Sequence, residues 1–562
     1  MLNRRCADTC IAFASRLPRL TTTVAVAIGV ASGSQVNAFE IETDNPDLRL
    51  RWDNTVKYNA GWRLKEADDK LTSSVNQDDA DRNFNKGLIS NRLNLLSEFD
   101  ARYKNLGARV SAAGWYDTVY QESNDNDSPF TANQRSVASD AFTDDTRRLH
   151  GGKAEILDAF VFGQGRIGEI PSSFRLGRHT VLWGESLFFG ANGIAGGQAP
   201  VDVIKATSVP STPFKELIRP VNQFSGQLQL RSNLSLAAYY QFEWEENLIP
   251  AVGSYFSTSD VVGDGGERLI AGGPIGPNQQ RLAFFRGDDQ KARNSGQYGL
   301  SLRFSPEDWD TDFGLYVIRY HAKDPMVYTR PFATGPNPLT GQLGEYQLVY
   351  GEAIRAFGAS FSTAIGDANV AGEVSVRRNT PLVSVAQANP SGAGDNSGNP
   401  LYAVGNSLHA QLSTLYSFSR NDIWDSANLA AEVAWHRRTS ITKNPQALDP
   451  NSERDAWGLR MTFTQNFFQV YPGLDLSVPL GIGYNPKGKS SVITKFNNGV
   501  GDKGGDITVG VQGDYLQTWK VGVSYTRYIG GADNFLDAGN ANTFGQPLKD
   551  RDFVALTAQR SF

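Results

Sequence analysis

The chain has 562 residues, with 54 basic and 59 acidic side chains and a formal net charge of −5 at neutral pH. A charge this mild provides no electrostatic signature of nucleic-acid binding, so no nucleic-acid partner is expected. Mean hydropathy is −0.37. Beyond the N-terminal segment no run approaches the roughly 18 apolar residues that a spanning helix needs, which excludes a helical membrane protein.

The first 38 residues have the pattern of a secretory signal peptide. A basic region is followed by a short apolar core over residues 21–30, and Ala38 closes a small-residue cleavage site. The basic residues are Arg4, Arg5, Arg16 and Arg19. Both cysteines, Cys6 and Cys10, lie in this segment, so we expect a secreted mature chain that starts at Phe39 and lacks cysteine.

The stretch 48–64 alternates between apolar and polar side chains. Of its even-numbered positions only Asn54 is polar, while the odd-numbered positions are mostly charged or polar. Side chains in a strand point to opposite faces in turn, so this is a strand with one apolar face and one polar face. It exceeds the typical soluble strand of about 5–6 residues and the roughly 9–11 that cross a bilayer. Such alternation is typical of outer-membrane barrels.

The same alternation recurs to the C-terminus, where the chain ends on Phe562. Short turns and long polar loops follow one another, as in bacterial barrels with periplasmic turns and external loops. Residues 39–562 are therefore predicted to form an all-β fold, a single large transmembrane antiparallel β-barrel of about 18 strands, or alternatively 16. The expected location is the outer membrane of a Gram-negative bacterium. Outer-membrane lipid, lipopolysaccharide and the barrel-assembly machinery are the expected partners.

Residues 184–222 interrupt the alternation. This stretch follows a strand end and contains side chains too apolar for an exposed loop, among them Trp183 at its edge, Phe188, Phe189 and Ile194. We expect the segment to fold into the lumen as a constriction or plug. The alternative is an external cap packed on other loops.

The polar faces of the predicted strands are rich in cations. A narrow basic pore would steer anionic solutes or lipid headgroups. The blander interpretation, which the sequence favours, is a wall of ion pairs with Asp53, Glu98, Asp100 and Asp117. Lys57 and Arg109 share these faces. The candidate residues along a substrate path are Arg49, Arg51, Arg63, Arg92, Arg102, Arg175, Arg178, Trp183, Phe188, Phe189 and Ile194.

Signals for catalysis and for metal binding are weak. His179, Glu185 and Ser186 would suit a wall-mounted hydrolase, but their spacing is not diagnostic and no G-x-S-x-G motif is present. We expect no enzyme activity, no catalytic residues, no metal and no cofactor. The first long loop carries several acidic residues. It lacks the glycine and glutamate of a calcium loop, so a solvated acidic loop is expected. Its acidic residues include Asp68, Asp69, Asp78, Asp79 and Asp81.

Several motifs resemble a family of large proteobacterial proteins, domain-of-unknown-function family 1302 (DUF1302). They are Leu-Ile-Ser-Asn-Arg at 88–92, Ala-Gly-Trp-Tyr-Asp at 113–117, Phe-Arg-Leu-Gly-Arg-His at 174–179, and the stretch 190–205. The resemblance spans essentially the whole mature chain. It implies an outer-membrane location, and partnership with an exporter of the resistance-nodulation-division (RND) type and a periplasmic lipoprotein-like protein. It also implies traffic of lipids or other hydrophobic compounds, and it brings no catalytic residues.

The leading expectation is an outer-membrane channel that passes small, hydrophobic or lipid-like molecules with envelope partners. One alternative is a general porin for anionic hydrophilic solutes. Another is a non-conducting docking or structural protein. The lining decides between them. Phe188, Phe189 and Ile194 at the constriction would favour hydrophobic cargo, whereas exposed Arg175 and Arg178 would favour anions. A lumen filled from end to end would favour the docking protein.

Overall fold

The structure is a computed structural model that describes residues 39–208, 214–275 and 280–562. The predicted signal peptide, residues 1–38, lies outside the described residues. None of the helices within these ranges combines the length and the apolar character needed to cross a membrane.

Long strands dominate the described chain, and the helices are short. The strands, in chain order, are β1 (Phe39–Ile41), β2 (Leu48–Arg63), β3 (Gly87–Tyr103), β4 (Leu106–Asp117), β5 (Gly152–Ile167), β6 (Ile170–His179), β7 (Val221–Arg231), β8 (Leu234–Gln241), β9 (Arg268–Ile275), β10 (Gln280–Arg286), β11 (Gln297–Phe304), β12 (Thr311–Tyr320), β13 (Met326–Pro331), β14 (Gln342–Val349), β15 (Ile354–Ile365), β16 (Ala368–Pro381), β17 (Gln387–Ala388), β18 (Val404–Phe418), β19 (Ser426–Lys443), β20 (Asp455–Tyr471), β21 (Leu474–Lys487), β22 (Gly505–Tyr515), β23 (Trp519–Ile529) and β24 (Phe553–Ser561). The α-helices are α1 (Asp79–Arg82), α2 (Asp144–Thr146) and α3 (Val203–Ser208). A π-helical turn covers Arg147–Gly151, and 3₁₀ turns cover Leu71–Ser73, Val119–Gln121, Ile194–Gly197, Phe214–Glu216, Pro445–Ala447 and Phe496–Gly499.

Eighteen of these strands close into one antiparallel barrel. The main sheet has 19 strands, and one of them is the three-residue β1, which pairs only along the start of β2. Neighbours in sequence pair in order, β8 pairs with β11 across an inserted loop, and β24 pairs with β2 to close the wall. The predicted fold class is confirmed, with 18 strands and not 16.

The outer face of the wall is an apolar belt. Side chains that would be core in a soluble protein are exposed here, including Trp52 at 47%, Leu93 at 54% and Leu315 at 58%. Their neighbours along each strand are polar and face inward, because successive side chains alternate between faces. An apolar outer face with a polar interior is what a strand wall in contact with lipid requires.

The long loops are more structured than expected. Five loop strands form a separate sheet in the order β17-β13-β14-β10-β9, whereas the sequence predicted only polar loops there. Mostly aromatic side chains form a buried core between loops and barrel. Its members are Phe84, Ile89, Tyr120, Phe142, Tyr255, Tyr528, Leu548 and Phe553. The barrel end that carries the long loops is therefore covered by packed structure, while the other end has only short turns.

Candidate functional site

The segment between β6 and β7 crosses the inside of the barrel. It leaves the wall at His179 and rejoins it at Val221, and between these points it hydrogen-bonds to Glu373 on β16, Gln411 on β18 and Glu432 on β19. These three side chains are on the inner face, because the next residue along each strand is an exposed apolar one (Val374, Leu412 and Val433). The segment therefore spans from one side of the wall to nearly the opposite side.

Two buried carboxylates hold the segment by its backbone. Glu432 accepts hydrogen bonds from the N–H groups of Leu187 (3.2 Å), Phe188 and Phe189 (2.7 Å). Glu373 accepts from the N–H groups of Glu185 (3.0 Å) and Ile194. Hydrogen bonds to an ionised acceptor are stronger than neutral ones. Each carboxylate thus fixes a turn of the segment against the strand that carries it.

Asn192 forms a second attachment between two histidines. Its Oδ1 accepts from the Nδ1 atoms of His409 (3.0 Å) and His436 (3.1 Å), and its Nδ2 donates to the backbone oxygen of Ala410 (3.2 Å). Arg377 adds bonds to the backbone oxygens of Ala191 and Gly193, both at 2.8 Å. Each imidazole therefore holds the segment through Nδ1, while its Nε2 bonds to a serine outside the segment, Ser407 for His409 and Ser490 for His436.

Three large apolar side chains of the segment pack against the wall or against the loop between β21 and β22. Trp183 packs on Tyr239 with ring centroids 5.0 Å apart, and Phe189 packs on Phe496 at 5.4 Å. Ile194 lies over Gly358, where a Cβ atom would approach it to 2.8 Å. Trp183, Phe189 and Ile194 are 9%, 6% and 1% exposed, so they do not line open space as predicted. Phe188 is partly buried at the edge of the same cluster.

The predicted basic wall divides into two parts. Towards the long loops the cations are held by protein contacts: Arg178 pairs with Glu243 and Glu245, both at 2.9 Å, and Arg92 stacks on Trp115 at 4.5 Å. Arg63 is 2% exposed and pairs with Asp550 at 2.8 Å. The sequence placed Arg63 among the substrate-path candidates, but the loops close over this end of β2 and seal its side chain from solvent.

Towards the short turns the inner face carries exposed arginines. Arg49, Arg51, Arg102 and Arg175 are all exposed. Arg51 pairs with Asp53 at 2.6 Å, and Arg175 lies over the ring of Phe160 at 5.8 Å. Arg49 and Arg102 are direct partners in the β2–β3 register, and no ion pair to either is formed within the described chain.

The suggested hydrolase residues are not brought together. His179 bonds to Ser225 through Nε2 (2.8 Å) and to the backbone oxygen of Gly177 through Nδ1 (3.0 Å), whereas Ser186 accepts from Gln411. Glu185 instead pairs with Arg303 at 3.6 Å. The three residues therefore act in separate contacts.

Comparison with known sequences shows which family the chain belongs to. The family described as "Protein of unknown function (DUF1302)" matches residues 19–562, nearly the whole chain. The chain belongs to the DUF1302 family. No curated protein matches it.

Solved structures resemble this DUF1302 barrel only loosely. Acinetobacter baumannii OccAB1 is 9% identical with a TM-score of 0.41, over 91% of this chain and 96% of that one. The outer membrane channel DcaP of Acinetobacter baumannii is 9% identical with a TM-score of 0.38, over 94% and 100%. Pseudomonas aeruginosa OpdK with vanillate is 10% identical with a TM-score of 0.37, over 91% and 98%. Likenesses this distant carry no argument about the function of the DUF1302 chain.

A buried lysine joins the segment to the loops of the DUF1302 barrel. Lys323 follows β12, and its Nζ donates to the backbone oxygen of Gly197 at 3.1 Å. Burial lowers the pKa of Lys323 to about 7, while the charge of Asp324 acts in the opposite direction. Sequence reasoning missed this residue, because an isolated lysine in a polar loop carries no signal of burial.

Proposed function

We propose that this DUF1302 barrel is an outer-membrane channel for small anionic solutes, narrowed by the segment between β6 and β7. The observation that carries the proposal is that Arg49 and Arg102 are exposed on the inner face near the short turns and form no ion pair with any described residue. A barrel of about 16–18 strands encloses an aqueous lumen. Cations on the wall of a narrow, low-dielectric pore focus the field and raise the local anion concentration.

The apolar belt and the closed wall support the membrane location. The segment supports the constriction, because it spans the lumen and its Leu182, Glu185, Ser186 and Phe188 side chains are exposed or only partly buried. Its position is held by Glu373 and Glu432, so the narrowing is a fixed feature.

The two other functions have less support. Hydrophobic cargo would need a continuous apolar path, but Trp183, Phe189 and Ile194 pack against protein. Leu182 and Phe188 remain exposed or partly exposed, and they lie beside the polar Glu185 and Ser186. A non-conducting docking protein would need a lumen filled from end to end, which the exposure of Arg49 and Arg102 opposes. The RND-type exporter and the periplasmic lipoprotein-like partner rest on the family resemblance alone and belong to this proposal.

Planar-bilayer recording tests the function. The purified, folded protein is inserted into a neutral bilayer under a tenfold KCl gradient, and the reversal potential is read. A perfectly selective pore would reach about 59 mV, and we expect the sign that corresponds to chloride preference. Cation preference would contradict the anion assignment. No conductance, even after Glu432→Gln loosens the segment, would contradict the channel itself.

A further inference from the structure

Three buried aspartates meet where two long loops pack together. Asp78 and Asp79 stand at the start of α1 in the loop after β2, and Asp260 comes from the loop after β8. One carboxylate oxygen from each lies within 4.8 Å of the other two. The residues are only 4%, 4% and 0% exposed. The solvated loop expected for Asp78 and Asp79 is therefore wrong.

Each of the three carboxylates has one oxygen satisfied and one without a partner. Oδ2 of Asp78 accepts from Arg82 Nε at 2.6 Å, and Oδ2 of Asp79 accepts from Asn133 Nδ2 at 3.0 Å. Oδ2 of Asp260 accepts from the N–H of Asp79 at 3.2 Å. The Oδ1 atoms of all three are buried without a hydrogen-bond partner. Buried oxygens normally have one, and three such oxygens in one cluster point to a missing ligand.

The charges around the cluster do not balance. Arg82 is the guanidinium in direct contact with it, so the three carboxylates in their ionised form and one cation would carry two negative charges. The adjacent Asp81 is already paired with Arg551 at 2.7 Å. Arg268 donates instead to the backbone oxygens of Thr131 and Ala132. Uncompensated buried charge is strongly unfavourable, so a group carrying two positive charges would restore the balance.

We propose that Asp78, Asp79 and Asp260 bind a Ca²⁺ ion. Carboxylate oxygens are the ligands of hard divalent cations. Calcium–oxygen distances of about 2.3–2.6 Å place opposite ligands about 4.6–5.2 Å apart, so three oxygens within 4.8 Å of one another can share one such ion. Mg²⁺ requires a tighter octahedron with ligands at about 2.0–2.1 Å. The bound ion joins the loop after β2 to the loop after β8, and Asn133 links it to the loop between β4 and β5.

Calorimetric titration of the folded, detergent-solubilised protein with CaCl₂ tests the site. Asp79→Asn and Asp260→Asn should each weaken Ca²⁺ binding roughly tenfold or more. Asp69→Asn is the matched control, because Asp69 is exposed in the same loop and the substitution removes the same charge. It should bind as the wild type does.

Thermal unfolding with Ca²⁺ or with EDTA gives a second readout. Ca²⁺ should raise the melting temperature of the wild type and of Asp69→Asn, but not that of Asp260→Asn. A wild type that binds no Ca²⁺, or equal binding by all variants, would overturn the site. Equal binding of MgCl₂ would overturn the assignment to calcium. If Asp260→Asn does not fold, the wild-type titration and Asp78→Asn still decide the question. Channel activity plays no part in either readout.

Discussion

Arg49 on β2 and Arg102 on β3 face each other directly across a strand pair, on the inner wall of the barrel. Like charges in directly opposite positions destabilise a sheet. Nearby carboxylates do not relieve this pair: Asp53 pairs with Arg51, and Glu98 and Asp100 both pair with Arg109. These two cations do not stabilise the fold at this place. We therefore assign them a role in binding the solute.

The double variant Arg49→Ser, Arg102→Ser should lose anion preference. Its reversal potential in a KCl gradient should move towards zero, because the wall field that concentrates anions is removed. The melting temperature should stay the same or rise, since a repulsion of roughly 0.2–1 kcal/mol disappears. Arg420→Ser, in an exposed turn, is the control and should leave the potential unchanged. Unaltered selectivity in the double variant would remove these arginines from the pathway.

Glu432→Gln should loosen the segment inside the lumen. The amide cannot replace a carboxylate that accepts from three backbone N–H groups, and hydrogen bonds to a charged acceptor contribute about 1.5–3 kcal/mol each. Single-channel recordings should show larger and noisier conductance. Glu307→Gln, in an exposed turn, is the matched control. Identical recordings from both variants would mean that the segment is held by its apolar packing.

Arg551→Met should destabilise the loops that cover one end of the barrel. Arg551 is 1% exposed and pairs with Asp81, and it also donates to the backbone oxygen of Tyr255 at 2.7 Å. Removing one partner of a buried ion pair costs about 3–5 kcal/mol, and the remaining contact of Asp81 with Arg63 at 3.5 Å offsets part of that cost. Limited proteolysis should cut the loops faster than in Arg420→Met. Equal digestion of the two variants would count against this role.

Lys323 should make stability depend on pH. Its pKa in the folded chain, about 7, lies below the ordinary lysine value of 10.5, so the folded state holds fewer protons than the unfolded state between these values. The destabilisation from burying the charged form of Lys323 is fully present below about pH 7 and is lost as pH rises towards 10.5. The melting temperature of the wild type should therefore rise relative to Lys323→Met between pH 7 and pH 10. The melting temperature of Lys520→Met, at an exposed lysine, should change with pH as that of the wild type does. If the difference in melting temperature between the wild type and Lys323→Met does not change with pH, the lowered pKa of Lys323 is refuted.

The barrel could be predicted because its signal is local. Alternation with a period of two is visible within one strand, and the prediction of a strand over 48–64 matches β2 to within a residue. The sheet formed by the loop strands could not be predicted from the sequence. Its strands are short, β9 contains Gly272, Gly273 and Pro274, and β10 pairs in parallel with the distant β14. Long-range contacts decide such pairings, and local sequence does not record them.

The site was predicted in outline. The apolar content of 184–222 correctly marked a segment that cannot lie in water. The direction in which Ile194 and Phe189 point depends on the space above Gly358 and Gly458, on strands far away in the chain. The burial of Arg63 likewise depends on loops that close over it, although its face of β2 is the same as that of Arg49. One strand face therefore contains both a solvent-exposed and a sealed arginine.

The pairing of β2 with β24, which closes the barrel, has a consequence for how the barrel assembles. Thr55 pairs with Ser561, 506 positions away, and the N–H of Phe562 bonds to the oxygen of Asn54 at 2.8 Å. Contacts between such remote positions are slow to form, since the connecting chain must first be ordered. Until β24 arrives, β2 presents a long unpaired edge, which would pair with other chains. The edge of β2 therefore has to be shielded from other chains from the time β2 is synthesised until β24 pairs with it.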